Sequence, residues 1–376
     1  MHRFINSLLL AGVVFFSGHA VASKVKVVFI NPGHPQGDST GAFWSTVNRF
    51  MQAAANDLDI ELTTLFANRD HLMMKNLATT VGKYSPDYVI IVNEKGVGVD
   101  LVRSISRHNI PIFSLLNGFS SDELQQLMDN QKALLIGSLT PNNFIAGKML
   151  ATDLLAIHQQ KYSNLVPYHF LALQGDYRSP AALARKRGLM TFLASNNNVN
   201  LIDMPIGNWS RQQAYLKVKG LLKRRRIDVI WAANDPMAIG AKKAVEEANL
   251  SYQVTIGGIN WDEKDADYPI DISYGGHVTL GAKALAMLSD FHNKQMSRCE
   301  MHLKLDIFKS DKQNNLAMFL ANTHGENIEQ FDFTRFSKQH QNTAVFTLET
   351  FVDKNYKQIA NNNIYAPCIE LASQLN

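Results

Sequence analysis

The chain has 376 residues, of which 46% are hydrophobic, enough apolar material for two lobes rather than one. Its net charge of +4 is spread along the sequence, and the one dense basic run, Lys223-Arg224-Arg225-Arg226, closes a helical pattern where cations suit the helix dipole. With no aromatic residues interleaved for base stacking, the run reads as a solvated helix end and excludes a nucleic-acid partner.

The first 22 residues read as a targeting segment. Arg3 gives the positive start, Leu8 to Phe16 the short apolar core, and Ala20-Val21-Ala22 the small-residue cleavage signal. Ser23 then begins a mature chain exported into a bacterial periplasm. The apolar stretch is short for a bilayer span.

After this segment, short apolar runs alternate with helical spacing. Strands are predicted at 24–30, 60–66, 88–92 and 111–115, and helices at 43–57, 71–83 and 100–108. The pattern then restarts. Strands are predicted at 134–136, 168–173, 199–204, 229–233 and 253–256, and helices at 143–157, 181–194, 211–224, 238–248 and 280–291. Fully apolar strands separated by helices predict parallel sheets covered on both faces. The expected class is α/β: two doubly wound parallel-sheet lobes joined by hinge strands, plus a C-terminal extension. Within that extension, residues 304–310 and 344–352 have strand character.

Only two cysteines occur, Cys299 and Cys368. An oxidising compartment would let them pair; two buried thiols are the alternative. Neither has a second ligand at metal spacing, and no cofactor is implied.

In open α/β sheets a ligand binds beyond the C-terminal ends of the strands. The residues just past the predicted strands share a character. Asn31 to His34, with a polar loop to Phe43-Trp44, comes after the first. Asn93-Glu94-Lys95, Asn117-Gly118, Gln174 to Arg178, Asn208-Trp209, Asn234-Asp235, Asn260-Trp261-Asp262 and Gly275-Gly276-His277 come later. Each is an ordinary turn or cap choice alone. Together they supply amides, carboxylates, a guanidinium and flat aromatic faces. A polyhydroxylated ligand needs that mixture, because every hydroxyl both donates and accepts.

The stretches "GAFWSTV" (41–47), "SPDYVIIVN" (85–93), "HNIPIFSL" (108–115), "IAGKMLATDLL" (145–155), "SPAALARKRGLMTFL" (179–193) and "WAANDPMAIGAKKAV" (231–245) resemble the type I periplasmic binding proteins. That group contains ribose- and galactose-binding proteins and the autoinducer-2 receptor. The resemblance covers roughly residues 24–292. It implies a first lobe of residues 23–139 and 277–298, a second lobe of residues 140–276, and an extension of residues 299–376 packing on the second lobe. It implies a monomeric receptor, not an enzyme, that closes on a small polar ligand and serves a membrane permease or a sensor kinase. It places Phe43 and Trp44 on one stacking wall and Trp209 on the other. Asn93 would reach the ligand from the first lobe, with Arg187 and Asn234 from the second and Asp235 capping its helix. Asn260, beside Trp261, falls where the family often carries Asp, and His277 lies near a family Gln. The family's Asp-Arg pair after the fourth strand is Leu116-Asn117 here, which points away from a conventional pentose or hexose. A long first loop with Gln36, Ser39 and Trp44 is similar to the autoinducer-2 receptor in kind.

Two other readings compete. An exported hydrolase would use His34 or His277 with Asp176 or Asp262, but neither G-x-S-x-G nor H-E-x-x-H occurs. A repressor on this core would need a helix-turn-helix where the targeting segment stands.

Overall fold

Strand β1 (Val25–Asn31) carries a near-continuous apolar run, Val27 to Ile30, with almost nothing exposed, the signature of a strand covered on both faces. It lies at the heart of one of two sheets in the computed structural model, which describes residues 24–162, 166–262, 265–312, 317–320, 327–340 and 343–352. The expected leader and Cys368, and with it the expected pairing to Cys299, fall outside these residues.

The first sheet adds β2 (Ile60–Phe66), β3 (Tyr88–Ile91), β4 (Ile112–Leu115), β5 (Leu135–Pro141) and β11 (His302–Leu305). Its order is β11-β5-β4-β3-β1-β2, with every pairing parallel. The second sheet runs β12-β10-β9-β8-β6-β7. It comprises β6 (Tyr168–Leu173), β7 (Val199–Asp203), β8 (Val229–Ala232), β9 (Thr255–Asn260), β10 (Ile272–Gly275) and β12 (Lys309–Ser310), and only β12 is antiparallel. Helices α1 (Phe43–Asp57), α2 (His71–Thr80), α3 (Gly98–Ser106), α4 (Ser121–Gln125), α5 (Asp129–Leu134) and α10 (Leu280–His292) belong to the first lobe. The second carries α6 (Asn143–Lys161), α7 (Pro180–Ala194), α8 (Arg211–Leu222) and α9 (Asp235–Glu247). Polar residues stop the fraying of several: Asp70 caps α2, Ser120 forms a capping box on α4, and Ser210 caps α8.

Among the described residues the chain passes between the two sheets three times: from β5 into α6, from β10 into α10, and from β11 into β12. The first and third crossings are clipped together. Asn142 donates its backbone N–H to the Leu305 carbonyl at 2.9 Å and its side-chain amide to Asp306 Oδ1 at 2.6 Å. At the second, Gly276 has φ +107°, a conformation that favours glycine. Leu348 fills the space a Cβ there would need.

Four expectations change. Strand β9 begins two residues later than the sequence pattern indicates and runs to Asn260, because Gly257 and Gly258 act within a strand rather than in a turn. Gly257 lets Ile272 pack on β9, and Gly258 lets Asp235 approach its backbone. The strand-like 304–310 stretch is split between the two sheets as β11 and β12, so the first lobe's sheet reaches beyond residue 298. The C-terminal segment packs on the first lobe, not the second. Phe331, Phe333, Phe336, Phe346 and Phe351 stack on one another, and Phe351 meets Phe50 of α1 at 5.9 Å. Lys283 and Asp290 of α10 bond the same segment, to the Phe336 carbonyl at 3.0 Å and the Ser337 hydroxyl at 2.5 Å. A polar composition hid five aromatic rings that bury the flank of α1 and α10. The predicted strand at 344–352 ends instead in a helical turn, Glu349–Val352.

Candidate functional site

The C-terminal ends of both sheets face each other, and a cavity lies between them. The space there, open mouth included, is about 540 Å³. Its lining includes Thr40, Phe43, Trp44, Arg69, Glu94, Asn117, Asn143, Arg185, Trp209, Asn234, Asn260 and His277.

The aromatic walls are set by backbone geometry. Gly33 leaves room for Trp44, whose side chain would lie 2.2 Å from a Cβ there, and the Asn31 side-chain amide donates to the Trp44 carbonyl at 3.0 Å. Phe43 meets Trp44 edge-on at 5.0 Å. Across the cavity, Asn208 and Trp209 both have positive φ, 50° and 62°. This turn lays the Trp209 ring on the backbone of Gly175, where a Cβ would come within 2.4 Å of it. The indole Nε1–H donates to Asp176 Oδ2 at 2.7 Å. The same carboxylate accepts the Ser179 hydroxyl at 2.5 Å and the backbone N–H groups of Arg178 and Ser179.

The cationic edge is Arg185, on the buried face of α7. Its Nε donates to Asn143 Oδ1 at 2.9 Å, Nη1 to the Ala233 carbonyl at 2.5 Å, and Nη2 to His277 Nε2 at 3.2 Å. The guanidinium lies over the rings of Trp209 and Phe308, at 5.8 and 5.7 Å. Burial brings its pKa down to about 9, against the opposing pull of Asp235. His277 is sandwiched between Phe43 and Phe308, each 4.7 Å away. Burial first, and the Arg185 charge second, hold its pKa well below the usual range. The imidazole is neutral, and because Nε2 accepts from Arg185 the ring proton sits on Nδ1. Among the described residues Nδ1 has no partner.

Asn234 carries two jobs. Its Oδ1 accepts from Met237 N at 3.1 Å, so this residue, rather than Asp235, is the N-cap of α9, and its Nδ2 donates to the Trp209 carbonyl at 3.0 Å. Asp235 points inward instead. It accepts from the Ser273 hydroxyl at 2.6 Å and the Asp262 N–H at 3.1 Å. Burial, then the Asp262 charge, raises its pKa well above the carboxylate range. Arg69 and Glu94 form a paired wall at 2.8 Å, both largely buried.

Of the nine side chains expected at the ligand, Phe43, Trp44, Trp209, Asn234, Asn260 and His277 line the cavity. Three do not. Asn93 lies beneath the surface, bonding the Gly118 carbonyl, Glu123 and Gly98 N, and leaves the cavity to Glu94. Trp261 is buried, its indole donating to the Ser273 carbonyl at 3.2 Å. Arg187 is exposed, because two residues along a helix turn about 200° and carry it to the face opposite Arg185. Of the other lining residues, Glu94 and Asn117 belong to strand-tip groups without an individual role assigned, and Arg69, Asn143 and Arg185 lie outside every such group. For Arg185 a signal exists: with Ala182, Leu189 and Phe192 it falls on one buried stripe of α7.

The lobes also touch directly. Arg211 N–H donates to the Ser39 carbonyl at 2.9 Å, Lys95 N–H to Ser179 Oγ at 3.0 Å, and Ala181 N–H to Asn117 Oδ1 at 3.0 Å. The arrangement is closed around the cavity. Among the described residues no group of His, Cys, Asp and Glu is placed to hold a metal ion.

The chain is similar to the crystal structure of a periplasmic sugar-binding protein from Pseudomonas fluorescens, at 28% identity and a TM-score of 0.76, over 88% of this chain and 100% of that one. A galactofuranose-binding protein of Escherichia coli is 28% identical over 123 residues, 32% of this chain and 37% of that protein. A xylitol-binding protein of Mycolicibacterium smegmatis is 24% identical over 241 residues, 62% of this chain and 64% of that protein. The matches span less than two thirds of either of these two relatives. The sequence profile of the periplasmic binding protein domain family covers residues 34–269, more than half of the chain. With two parallel-sheet lobes, three crossings and a cavity between the strand ends, the chain belongs to that family in its type I form, and is periplasmic.

Proposed function

We propose that this protein is a receptor that closes on a small polyhydroxylated ligand, a sugar or sugar-like polyol, and presents the closed form to an ABC permease or to a membrane sensor. It acts by binding, without turnover, and enters the periplasm after cleavage behind Ala22. One observation carries the reading: indole and phenyl faces from opposite lobes flank a cavity whose edges hold Asn117, Asn143, Asn234, Asn260 and Arg185. Phe43, Trp44 and Trp209 cover the C–H faces of the ring. The amides and the guanidinium take its hydroxyls. The paired Arg69 and Glu94 offer donors and acceptors while cancelling each other's charge, which suits a neutral guest. The Pseudomonas fluorescens relative named as sugar-binding, and those named as binding galactofuranose and xylitol, support the same ligand class.

A ligand favours whichever state it binds better, so one gripped by both lobes draws the population closed. The test is a thermal-shift screen of furanoses, pyranoses, sugar acids and polyols. A compound at 100 times its dissociation constant adds about 2.7 kcal/mol of stability. No shift from any of these classes would refute the ligand class.

A further inference from the structure

The second lobe has a pole opposite the cleft, at the end of the strands away from it. Helix α8 runs from the cleft end of β7 back to the start of β8, so its C-terminus lies at this pole. There Lys223, Arg224 and Arg225 are exposed and make no ion pair among the described residues, and the same holds for Lys217, a turn and a half earlier. The nearby carboxylates are already engaged. Glu247 is held by Lys219 at 2.8 Å, Glu246 by Lys242 at 2.6 Å, and Asp228 by Arg226 at 2.8 Å and His169 at 2.9 Å. The charges of Lys223, Arg224 and Arg225 are therefore not neutralised locally.

Leu216 makes this more than a solvated helix end. It is 57% exposed and lies on the same face as Gly220, Lys223 and Arg224, at spacings of four, seven and eight residues. A Cβ at Gly220 would meet nothing within 4 Å, so this face is open. An exposed leucine with Lys217 beside it and Lys223 and Arg224 two turns on matches a surface that lies on a charged apolar boundary. The patch does not resemble a protein interface. Such interfaces favour aromatic anchors, and this patch holds a single leucine, Leu216, among Lys217, Lys223, Arg224 and Arg225.

We propose that the pole formed by the C-terminal half of α8 docks on the anionic phospholipid surface that bounds the periplasm. Lys217, Lys223, Arg224 and Arg225 contact phosphate headgroups and Leu216 enters the interface. Docking by this pole leaves the mouth of the cleft unobstructed, because the cleft lies at the opposite end of the strands. The attraction is electrostatic and falls with salt as the Debye length shortens.

The experiment is co-sedimentation of the mature full-length protein with vesicles of phosphatidylglycerol and phosphatidylethanolamine, or of phosphatidylcholine alone. The variant Lys223→Glu/Arg224→Glu/Arg225→Glu is compared with a first-lobe control, Lys83→Glu/Arg107→Glu, after matching their thermal melts. Wild type and control are expected to bind only the phosphatidylglycerol vesicles, more weakly at ~0.15 M salt than at low salt. The α8 variant should lose about tenfold or more in partitioning. Equal binding by the two variants, binding to phosphatidylcholine alone, or no binding at low salt would overturn the proposal. So would a patch that serves only an acidic protein partner, seen as capture of that partner without vesicle binding.

Discussion

Arg185 Nη2 donates to His277 Nε2 at 3.2 Å, joining a helix of the second lobe to the crossing that leads back into the first. That bond fixes the imidazole tautomer and leaves the guanidinium with N–H groups still free for a ligand. Arg185→Met keeps much of the stem but removes three hydrogen bonds and strands the Ala233 carbonyl. The expected cost is about 1–3 kcal/mol of stability, with loss of sugar binding by calorimetry. The His277 pKa should also move up toward its ordinary value, seen by NMR titration, because a neighbouring cation has gone. Arg187→Ala, on the opposite face, should change none of these.

Asp176 governs the polarity of a contact between lobes. Because the Ser179 hydroxyl donates to Asp176, its oxygen must accept, and it accepts from Lys95 N–H of the first lobe. Asp176→Asn is nearly isosteric, yet its amide nitrogen would face two donors, Trp209 Nε1–H and Ser179 O–H. The hydroxyl would then reverse and turn its hydrogen toward Lys95. Faster amide exchange at Lys95 and a shifted Trp209 indole resonance are expected, with about 1–3 kcal/mol lost from the second lobe. Ser179→Ala should reproduce the Lys95 effect while leaving the indole close to its wild-type position. An unchanged Lys95 amide in both variants would rule out this contact in solution.

Buried histidines make the protein lose stability in acid. His158, His277 and His302 have folded-state pKa values below the ordinary 6.5, burial being the largest cause for each. The unfolded chain therefore takes up protons first as pH falls, and stability is lost from about pH 6.5 downward. Asp235, whose pKa is raised, acts in the opposite sense, losing stability as pH rises from the carboxylate range toward its folded value. Comparison with His277→Gln separates the two. Its melting temperature should fall less between pH 7.5 and 5 than that of wild type. Parallel curves would show that His277 contributes nothing to the slope.

The sequence made the frame legible because its signals are local. Apolar runs mark the strands, and Asn234 stands directly behind a strand end, with Trp209 and the Phe43-Trp44 pair in the loops that follow theirs, so inspecting the loop at the tip of each strand reaches them. The residues that escaped depend on contacts distant in sequence or on helix phase. Glu94 stands in a strand-tip loop, but its pairing with Arg69 depends on the order β3-β1-β2, which brings the loop after β2 to it. The choice between Arg185 and Arg187 is made by the crossing of α6 and α7. Gly147 and Gly188 there let the two backbones approach so closely that a Cβ at either would lie 2.1 Å from a carbonyl oxygen. The five C-terminal phenylalanines have no helical or strand period, so their cluster cannot be read until α1 and α10 are in place.

Lys283 tests that C-terminal packing. Its ammonium is buried on α10, donates to the Phe336 carbonyl at 3.0 Å, and has a pKa lowered to about 8 by burial, against the pull of Asp290. Folded-state protons leave near pH 8 while the unfolded chain keeps them to about 10.5, so stability should rise from pH 8 upward. The rise ends where Tyr274, whose pKa is raised by burial and Asp153, begins to favour the unfolded chain above about 10. Lys283→Met removes the alkaline rise and orphans the Phe336 carbonyl, costing about 1–3 kcal/mol. Limited proteolysis should then cut the segment after Phe336 faster than in wild type, while sugar binding persists, because the cavity is lined by Phe43 and Trp44 at the start of α1 and the Phe336 cluster packs on Phe50, further along it. Equal cleavage rates and an unchanged alkaline slope would mean that this bond does not hold the segment down.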